Sequence, residues 1–145
     1  RQVVPWRQIS DPASILALAD EIDNMVRFYR YGLTSPGEAL IFAESLWSSS
    51  PAPCKRRVID ISGDGIRNIG AQVLPIADAI EARGVIINGL VKRGDTPDPL
   101  EFYQTEIKRG PLGFIQISAD YDDFPRAMFL KLLRELSPTL SSLSP

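Results

Sequence analysis

Apolar residues along the chain alternate between short β-branched runs and longer stretches with helical spacing. The runs at 58–62, 85–91 and 114–118 are typical of buried strands, because each is bounded by glycine, proline or polar residues. Stretches with helical spacing separate these runs, and strands that alternate with helices favour a parallel sheet with right-handed crossovers. The sequence therefore predicts the α/β class, with a Rossmann-like, mostly parallel sheet and flanking helices.

The predicted helices begin at recognisable capping sequences. Asp11-Pro12 combines an N-cap residue with proline at the first helical position, and Ser35-Pro36-Gly37-Glu38 has the pattern of a capping box. Asp98-Pro99 is a third start of this type. Five helices are predicted: about 11–30, 35–47, 72–83 with Gly84 as the C-cap, 98–110, and 122–136 with Phe124, Met128, Leu132 and Leu136 facing inward.

The two ends of the chain give weaker signals. Gln2 to Trp6 is short and β-prone, but Pro5 cannot donate to a ladder, so this segment is predicted to be an edge strand. The tail 137–145 is rich in serine and proline and is expected to fray. One domain is therefore expected over residues 1–136.

Composition excludes several classes of function. The chain has 145 residues, 44% of them hydrophobic and 23% charged, and a net charge of −2 gives no reason to expect nucleic acid as a partner. Its apolar runs are too short to span a bilayer. It has no histidine and one cysteine, which excludes the Ser-His-Asp triad, the Cys-His dyad, His-ligated zinc and intrachain disulfides. A bound metal would be held by oxygen, which favours Mg²⁺, Mn²⁺ or Ca²⁺.

The single cysteine, Cys54, is expected to be a small buried apolar residue rather than a nucleophile. A bond to a cysteine outside this chain is left open as the alternative.

The predicted strand at 58–62 ends in Ser62-Gly63-Asp64-Gly65. Ligands of open α/β sheets bind beyond the carboxyl ends of the strands, and glycine lets the backbone approach a ligand closely. Asp64 is therefore the first candidate site residue. The polar loop 92–97 follows the second strand and is predicted to lie at the same edge of the sheet.

Two segments carry a likeness to a known family. Thr34-Ser35-Pro36-Gly37-Glu38-Ala39-Leu40 resembles the T-x-x-G-x-A-L segment of von Willebrand factor type A domains, and Ser62-Gly63-Asp64-Gly65 stands where those domains place a second aspartate. Nearly the whole chain resembles a bacterial uncharacterised family with an A-domain-like fold. This broader likeness rests on Val3-Val4-Pro5-Trp6, the segment from Cys54 to Gly65, Gly84 to Leu90, and Lys131-Leu132-Leu133-Arg134-Glu135.

The resemblance implies a metal-ion-dependent adhesion site, in which three loops at the carboxyl edge of the sheet hold one divalent cation. Thr34 matches the threonine of the second loop, and Asp64 matches the aspartate of the third. The D-x-S-x-S motif of the first loop does not occur in these 145 residues. Residues expected to orient the ligands or to border the site are Asp60, Ser35, Gly63, Gly65 and Asn68. For Asp60 the alternative is a buried structural carboxylate that bonds to backbone or to an arginine.

The implied function is protein or ligand binding through Mg²⁺, or through Mn²⁺ or Ca²⁺, without catalysis. The strand at 58–62 is apolar enough to be central, so its missing neighbours are expected from an upstream segment, a second chain or a protein partner. The likeness also implies a periplasmic or secreted location.

Alternative interpretations come from shorter motifs. The segment Gly63 to Asn68 resembles the G-D-G-x-N-D motif of Mg²⁺-dependent haloacid dehalogenase-like phosphatases, but Arg67 and Asn68 stand where that motif has Asn and Asp. A structural assembly module that uses no metal is a second alternative. Arg93-Gly94-Asp95 spells a tripeptide that integrins recognise, and it is interpreted as a solvated loop.

Overall fold

The computed structural model describes residues 1–26 and 32–137, which form three strands and five α-helices. The strands are β1 (Arg57–Gly63), β2 (Val85–Lys92) and β3 (Ile115–Ser118). The helices are α1 (Pro12–Asp23), α2 (Pro36–Ser45), α3 (Val73–Glu81), the three-residue α4 (Leu100–Phe102) and α5 (Phe124–Leu136). A 3₁₀ turn, Leu46–Ser49, follows α2, and a π-helical turn, Tyr103–Ile107, follows α4.

The three strands form one parallel sheet in the order β1-β2-β3. Asp60 pairs with Asn88, and Leu90 pairs with Gln116. The predicted α/β class with a parallel sheet and flanking helices is confirmed. The middle strand of the described sheet is β2. β1 lies at its edge, and the strands expected on its other side were predicted to come from outside these residues.

Helices cover both faces of the sheet. Ile59 and Asp60 are consecutive in β1 and therefore point to opposite faces. Ile59 belongs to a core shared with α2 and α3, while Asp60 forms an ion pair with Lys131 of α5. The core on the first face consists of Leu40, Ile59, Val73, Ala77, Ile80, Val85, Ile87, Val91, Tyr103 and Ile107.

Of the three predicted capping sequences, only the one at Asp11 forms a side-chain cap in the described structure. Asp11 caps α1, and its carboxylate accepts a hydrogen bond from the Ser14 N–H at 2.7 Å. α1 ends at Asp23, earlier than predicted, with Asn24 as its C-cap, and the predicted continuation over 27–30 lies outside the described residues. Ser35 is the N-cap of α2, but the predicted capping box does not form. The Ser35 hydroxyl donates to the Glu38 carboxylate instead of accepting from a backbone N–H of the helix.

The single helix predicted over 98–110 was wrong in its geometry. Its N-cap is Pro99 rather than the predicted Asp98, although the Asp98 carboxylate accepts from the Leu100 N–H at 2.9 Å. The helix then widens, and the Lys108 N–H donates to the Tyr103 carbonyl at 2.9 Å, which is π-helical spacing. Both Tyr103 and Ile107 are buried in this wider turn.

The predicted inward face of α5 was wrong for two of its four residues. Leu132 and Leu136 are 44% and 76% exposed, whereas the helix buries Ala127 and Lys131. Lys131 is only 1% exposed because its ammonium group pairs with Asp60 and with Glu135 on the face of the sheet. An ion pair, not a leucine stripe, therefore sets the rotation of this helix.

The expected edge strand at Gln2 to Trp6 was also wrong, because this segment has no strand structure. Trp6 instead packs on Trp47 with ring centroids 5.4 Å apart, and its indole N–H donates to the Leu46 carbonyl at 3.0 Å. Pro5 lacks the N–H that a ladder needs, so this contact fixes the segment without sheet pairing.

Cys54 is exposed, which contradicts its expected burial. It lies in the proline-rich connection before β1, where its thiol contacts the Ala52 carbonyl at 3.7 Å. None of the described helices has the length and apolar character needed to cross a bilayer.

Candidate functional site

The carboxyl edge of the sheet begins with Asp64, the first residue after β1. Its side chain is exposed and accepts a hydrogen bond of 2.5 Å from the hydroxyl of Tyr121. Tyr121 follows β3, so the ends of both outer strands meet at this carboxylate. The hydrogen bond and the negative charge of Asp64 raise the pKa of Tyr121, which keeps this hydroxyl protonated as a donor.

Thr34 lies directly beside this strand end. A Cβ atom built on Gly65 would lie 3.5 Å from the Thr34 hydroxyl oxygen, which is an ordinary van der Waals distance. Thr34, which was predicted to share a site with Asp64, is therefore close to the residue that follows Asp64 at this edge of the sheet.

Asn68 joins the two loops that carry these residues. Its side-chain oxygen accepts from the Thr34 N–H at 2.7 Å, and its own N–H donates to the Thr34 carbonyl at 3.0 Å. The backbone of Thr34 is thus held from both sides by one residue. Asn68, predicted as a residue that borders the site, fixes the position of the threonine loop.

Ser35 and Glu38 form a second brace between the same loops. The Ser35 hydroxyl donates to the Glu38 carboxylate, which in turn accepts from the Ala71 N–H at 2.8 Å. Gly70 has a positive φ of 79° and no room for a Cβ atom beside these two side chains. The loop after β1 is therefore attached to the start of α2 at two points.

Gly63 makes room for a buried tyrosine. A Cβ atom on Gly63 would lie 2.5 Å from the Tyr103 hydroxyl, and one on Gly89 would lie 2.8 Å from the ring of Tyr103. Burial of the hydroxyl, together with the charge of Asp64, raises the pKa of Tyr103 to about 12. Tyr103 therefore presents a neutral hydroxyl next to the strand end.

One lysine moderates the negative charge of this edge. Lys92, the last residue of β2, forms an ion pair of 2.5 Å with Asp95 and lies 4.9 Å from the centroid of the Tyr121 ring. The hydrogen bond from Lys92 to Asp95 raises the pKa of the lysine, and the charge of Asp64 adds to the shift. Asp64 and Asp95 against Lys92 leave one excess negative charge among these three side chains.

Asp60 does not reach this edge. It lies in the middle of β1 and pairs with the buried Lys131 of α5. Its side chain is 36% exposed. The observed contact fits the alternative of a structural carboxylate, although its partner is a lysine, and it does not fit the role of orienting a metal ligand.

The described residues contain no group of three or more histidine, cysteine, aspartate or glutamate side chains placed to hold a metal. The two predicted ligands at this edge, Thr34 and Asp64, supply one hydroxyl and one carboxylate. Both are oxygen donors, and the local excess of negative charge suits a cation. The residues present therefore fit part of a coordination sphere for a hard divalent ion.

Sequence reasoning missed Tyr103, Tyr121 and Lys92. Gly63 and Gly89 give a signal for Tyr103, because glycines in two adjacent strands leave space for one large side chain. Tyr121 and Lys92 both lie at or just after the carboxyl end of a strand, which is the general position of ligand-binding residues in such sheets.

Charged residues of the two shorter motifs, the Arg93-Gly94-Asp95 tripeptide and the segment Gly63 to Asn68, contact residues close to them in the chain. Arg93 pairs with Asp98 at 2.7 Å and Asp95 pairs with Lys92, so both charged residues of the Arg93-Gly94-Asp95 tripeptide are paired with residues three to five positions away. Arg67 donates to the Gly70 carbonyl at 3.1 Å.

Residues 1–140 match the family described as "Protein of unknown function (DUF1194)". The chain belongs to the DUF1194 family. No curated protein and no solved structure matches this DUF1194 chain.

Proposed function

We propose that this DUF1194 chain is a non-catalytic binding module that uses a divalent cation, held at the carboxyl edge of its sheet by Thr34 and Asp64. The observation that carries the proposal is the position of the Thr34 hydroxyl beside Gly65, immediately after Asp64. The loops that bear these two residues are joined by Asn68 and by the Ser35–Glu38 brace.

The chemistry of the donors favours Mg²⁺, with Mn²⁺ or Ca²⁺ as substitutes. Hard cations bind carboxylate and hydroxyl oxygens, and Mg²⁺ usually keeps several of its waters. Two protein ligands leave positions for water and for a carboxylate from a bound partner. A cation shared in this way would make binding of a protein or an acidic ligand depend on the metal.

The resemblance to von Willebrand factor type A domains supports the same interpretation in more detail. In that family a D-x-S-x-S loop adds ligands from the strand next to the one that bears the aspartate. β1 lies at the edge of the described sheet, so its outer side is free to pair with a strand from another segment or from a partner chain. We propose that such a strand completes the site, and that the protein is periplasmic or secreted, as the likeness implies.

The test is the effect of Mg²⁺ and Mn²⁺ on the melting temperature of the purified chain. A ligand that binds only the folded state stabilises by about 2.7 kcal/mol at a hundred times its dissociation constant. We expect an increase in melting temperature that saturates with metal concentration and is lost in Asp64→Asn and in Thr34→Val.

Asp122→Asn is the matched control, because Asp122 is an exposed carboxylate that follows β3 near the same edge. It should keep the full response to the cation. An equal response in all four proteins, or no response in the unchanged chain at millimolar metal, would contradict the proposal and favour an assembly module without metal.

A further inference from the structure

A cavity of about 220 Å³ lies on the α5 side of the sheet, at the opposite end of the strands from Asp64. Val58 and Ile86, which are paired across β1 and β2 near the starts of these strands, contribute apolar surface to it. The segment before β3 and the last turn of α5 form the rest of the wall. The volume is below the roughly 300 to 1,000 Å³ of drug-sized sites, so the cavity suits a small ligand.

Two arginine side chains line this cavity. Arg56 donates to the backbone carbonyl of Glu135 at 2.6 Å, and the guanidinium of Arg134 lies 4.0 Å from the centroid of the Phe114 ring. Among the described residues, neither guanidinium forms an ion pair with a carboxylate. Both therefore keep N–H donors that no acidic side chain of this fold uses.

The one carboxylate in the wall is already engaged. Glu135 accepts from the Asn88 side chain at 3.0 Å with one oxygen and from Lys131 at 3.2 Å with the other. Asn88 is itself fixed, because its oxygen accepts from the Phe114 N–H at 3.1 Å. Glu135 is thus directed toward the buried lysine.

The balance of charge around the cavity is positive. Arg56, Arg134 and Lys131 supply three cations, whereas Asp60 and Glu135 supply two carboxylates. One anionic group would neutralise the remaining charge. The planar guanidinium group binds carboxylate and phosphate through paired N–H donors, and stacking on Phe114 orients the group of Arg134 in advance.

We propose that this cavity binds a small organic anion, a carboxylate or phosphate group on an apolar body. Arg56 and Arg134 hold the anionic group, and Val58, Ile86 and Phe114 contact the apolar part. This site shares none of these residues with the proposed cation site, so either proposal can fail without the other.

The experiment follows the amide NMR resonances of the chain during titration with benzoate, with phenyl phosphate and with neutral benzamide. The two anions should shift resonances of the residues that line the cavity, and benzamide should not. Arg134→Gln and Arg56→Gln should each weaken binding at least about tenfold, which corresponds to about 1.4 kcal/mol. The anion with the higher affinity, benzoate or phenyl phosphate, shows whether the site prefers a carboxylate or a phosphate group.

Arg126→Gln is the matched control, because Arg126 lies in the first turn of the same helix and pairs with Asp123. It should bind the anions like the unchanged chain. Arg134→Lys keeps the positive charge but loses the planar guanidinium group, so it should bind the anions more weakly than the unchanged chain. This variant tests the proposal in the case that a glutamine variant does not fold. Shifts spread over other surface arginines, equal shifts with benzamide, or equal weakening by Arg126→Gln would overturn the proposal.

Discussion

At the scale of single residues, the two glycines on either side of Asp64 have different surroundings. Gly63→Ala places a Cβ atom 2.5 Å from the Tyr103 hydroxyl, whereas Gly65→Ala places one 3.5 Å from the Thr34 hydroxyl. We expect Gly63→Ala to lower the free energy of unfolding by about 1–3 kcal/mol, the usual cost of overpacking, and Gly65→Ala to change it by less than about 0.5 kcal/mol. Urea unfolding of both variants measures the difference, and equal losses would contradict the observed packing of Tyr103.

Tyr103 also gives the chain a defined response to alkaline pH. Its pKa is about 12 in the folded chain, against an ordinary value of 10.0. Between these values the unfolded state binds fewer protons than the folded state, so the free energy of unfolding falls as pH rises, by up to roughly 1.4 kcal/mol per unit. Urea unfolding over this pH range should show a shallower decline for Tyr103→Phe, and an unchanged slope would exclude Tyr103 as the source.

At the scale of elements, α5 is held to the sheet by an ion pair. Lys131→Met leaves Asp60 and Glu135 without their shared cation, and we expect a loss of about 2–3 kcal/mol, less than for a fully buried pair because Asp60 is 36% exposed. Leu132→Ala, at the next position of the same helix, should cost less than about 1 kcal/mol because Leu132 is exposed.

Chemical denaturation of both variants measures these losses. Asp60→Asn added to Lys131→Met should recover part of the stability, because it removes one of the two unpaired carboxylates. A larger loss for Leu132→Ala than for Lys131→Met would mean that the leucine stripe faces the sheet after all.

The same helix illustrates what apolar periodicity can and cannot predict. The strands at Val58, Val85 and Phe114 were found because each apolar run is local and is bounded by turn residues. The rotation of α5 was not predicted correctly, because a lysine is expected to face solvent. Only its distant partner, Asp60, explains why Lys131 faces the sheet. The wide turn at Tyr103 was missed for a similar reason, since its space comes from glycines in two strands.

At the scale of the whole molecule, the shared position of Thr34 and Asp64 could be predicted from sequence. Parallel strands end at one edge of a sheet, and the resemblance supplied the threonine. The hydrogen bond from the Tyr121 hydroxyl to Asp64 could not be predicted in this way, because the position of Tyr121 depends on the path of the chain after β3. Likewise, the exposed Cys54 follows from the path of a proline-rich connection that has no periodicity.

Apolar surface on α5 bears on the proposed completion of the sheet. A shallow hollow on this helix is lined by Phe129, Leu132, Leu133, Leu136 and Ser137. Contiguous exposed apolar surface of this kind marks interaction sites in many proteins. Together with the open side of β1, it supports the proposal that a further segment or chain adds to this fold.

The most direct test of cation binding at the carboxyl edge is paramagnetic broadening of the amide NMR resonances by substoichiometric Mn²⁺. The predicted result is loss of intensity centred on Thr34 and on Asp64 to Asn68, reversed by excess Mg²⁺ and absent in Asp64→Asn. Broadening that centres instead on Asp120 to Asp123, or that persists unchanged in Asp64→Asn, would contradict a cation held by Thr34 and Asp64.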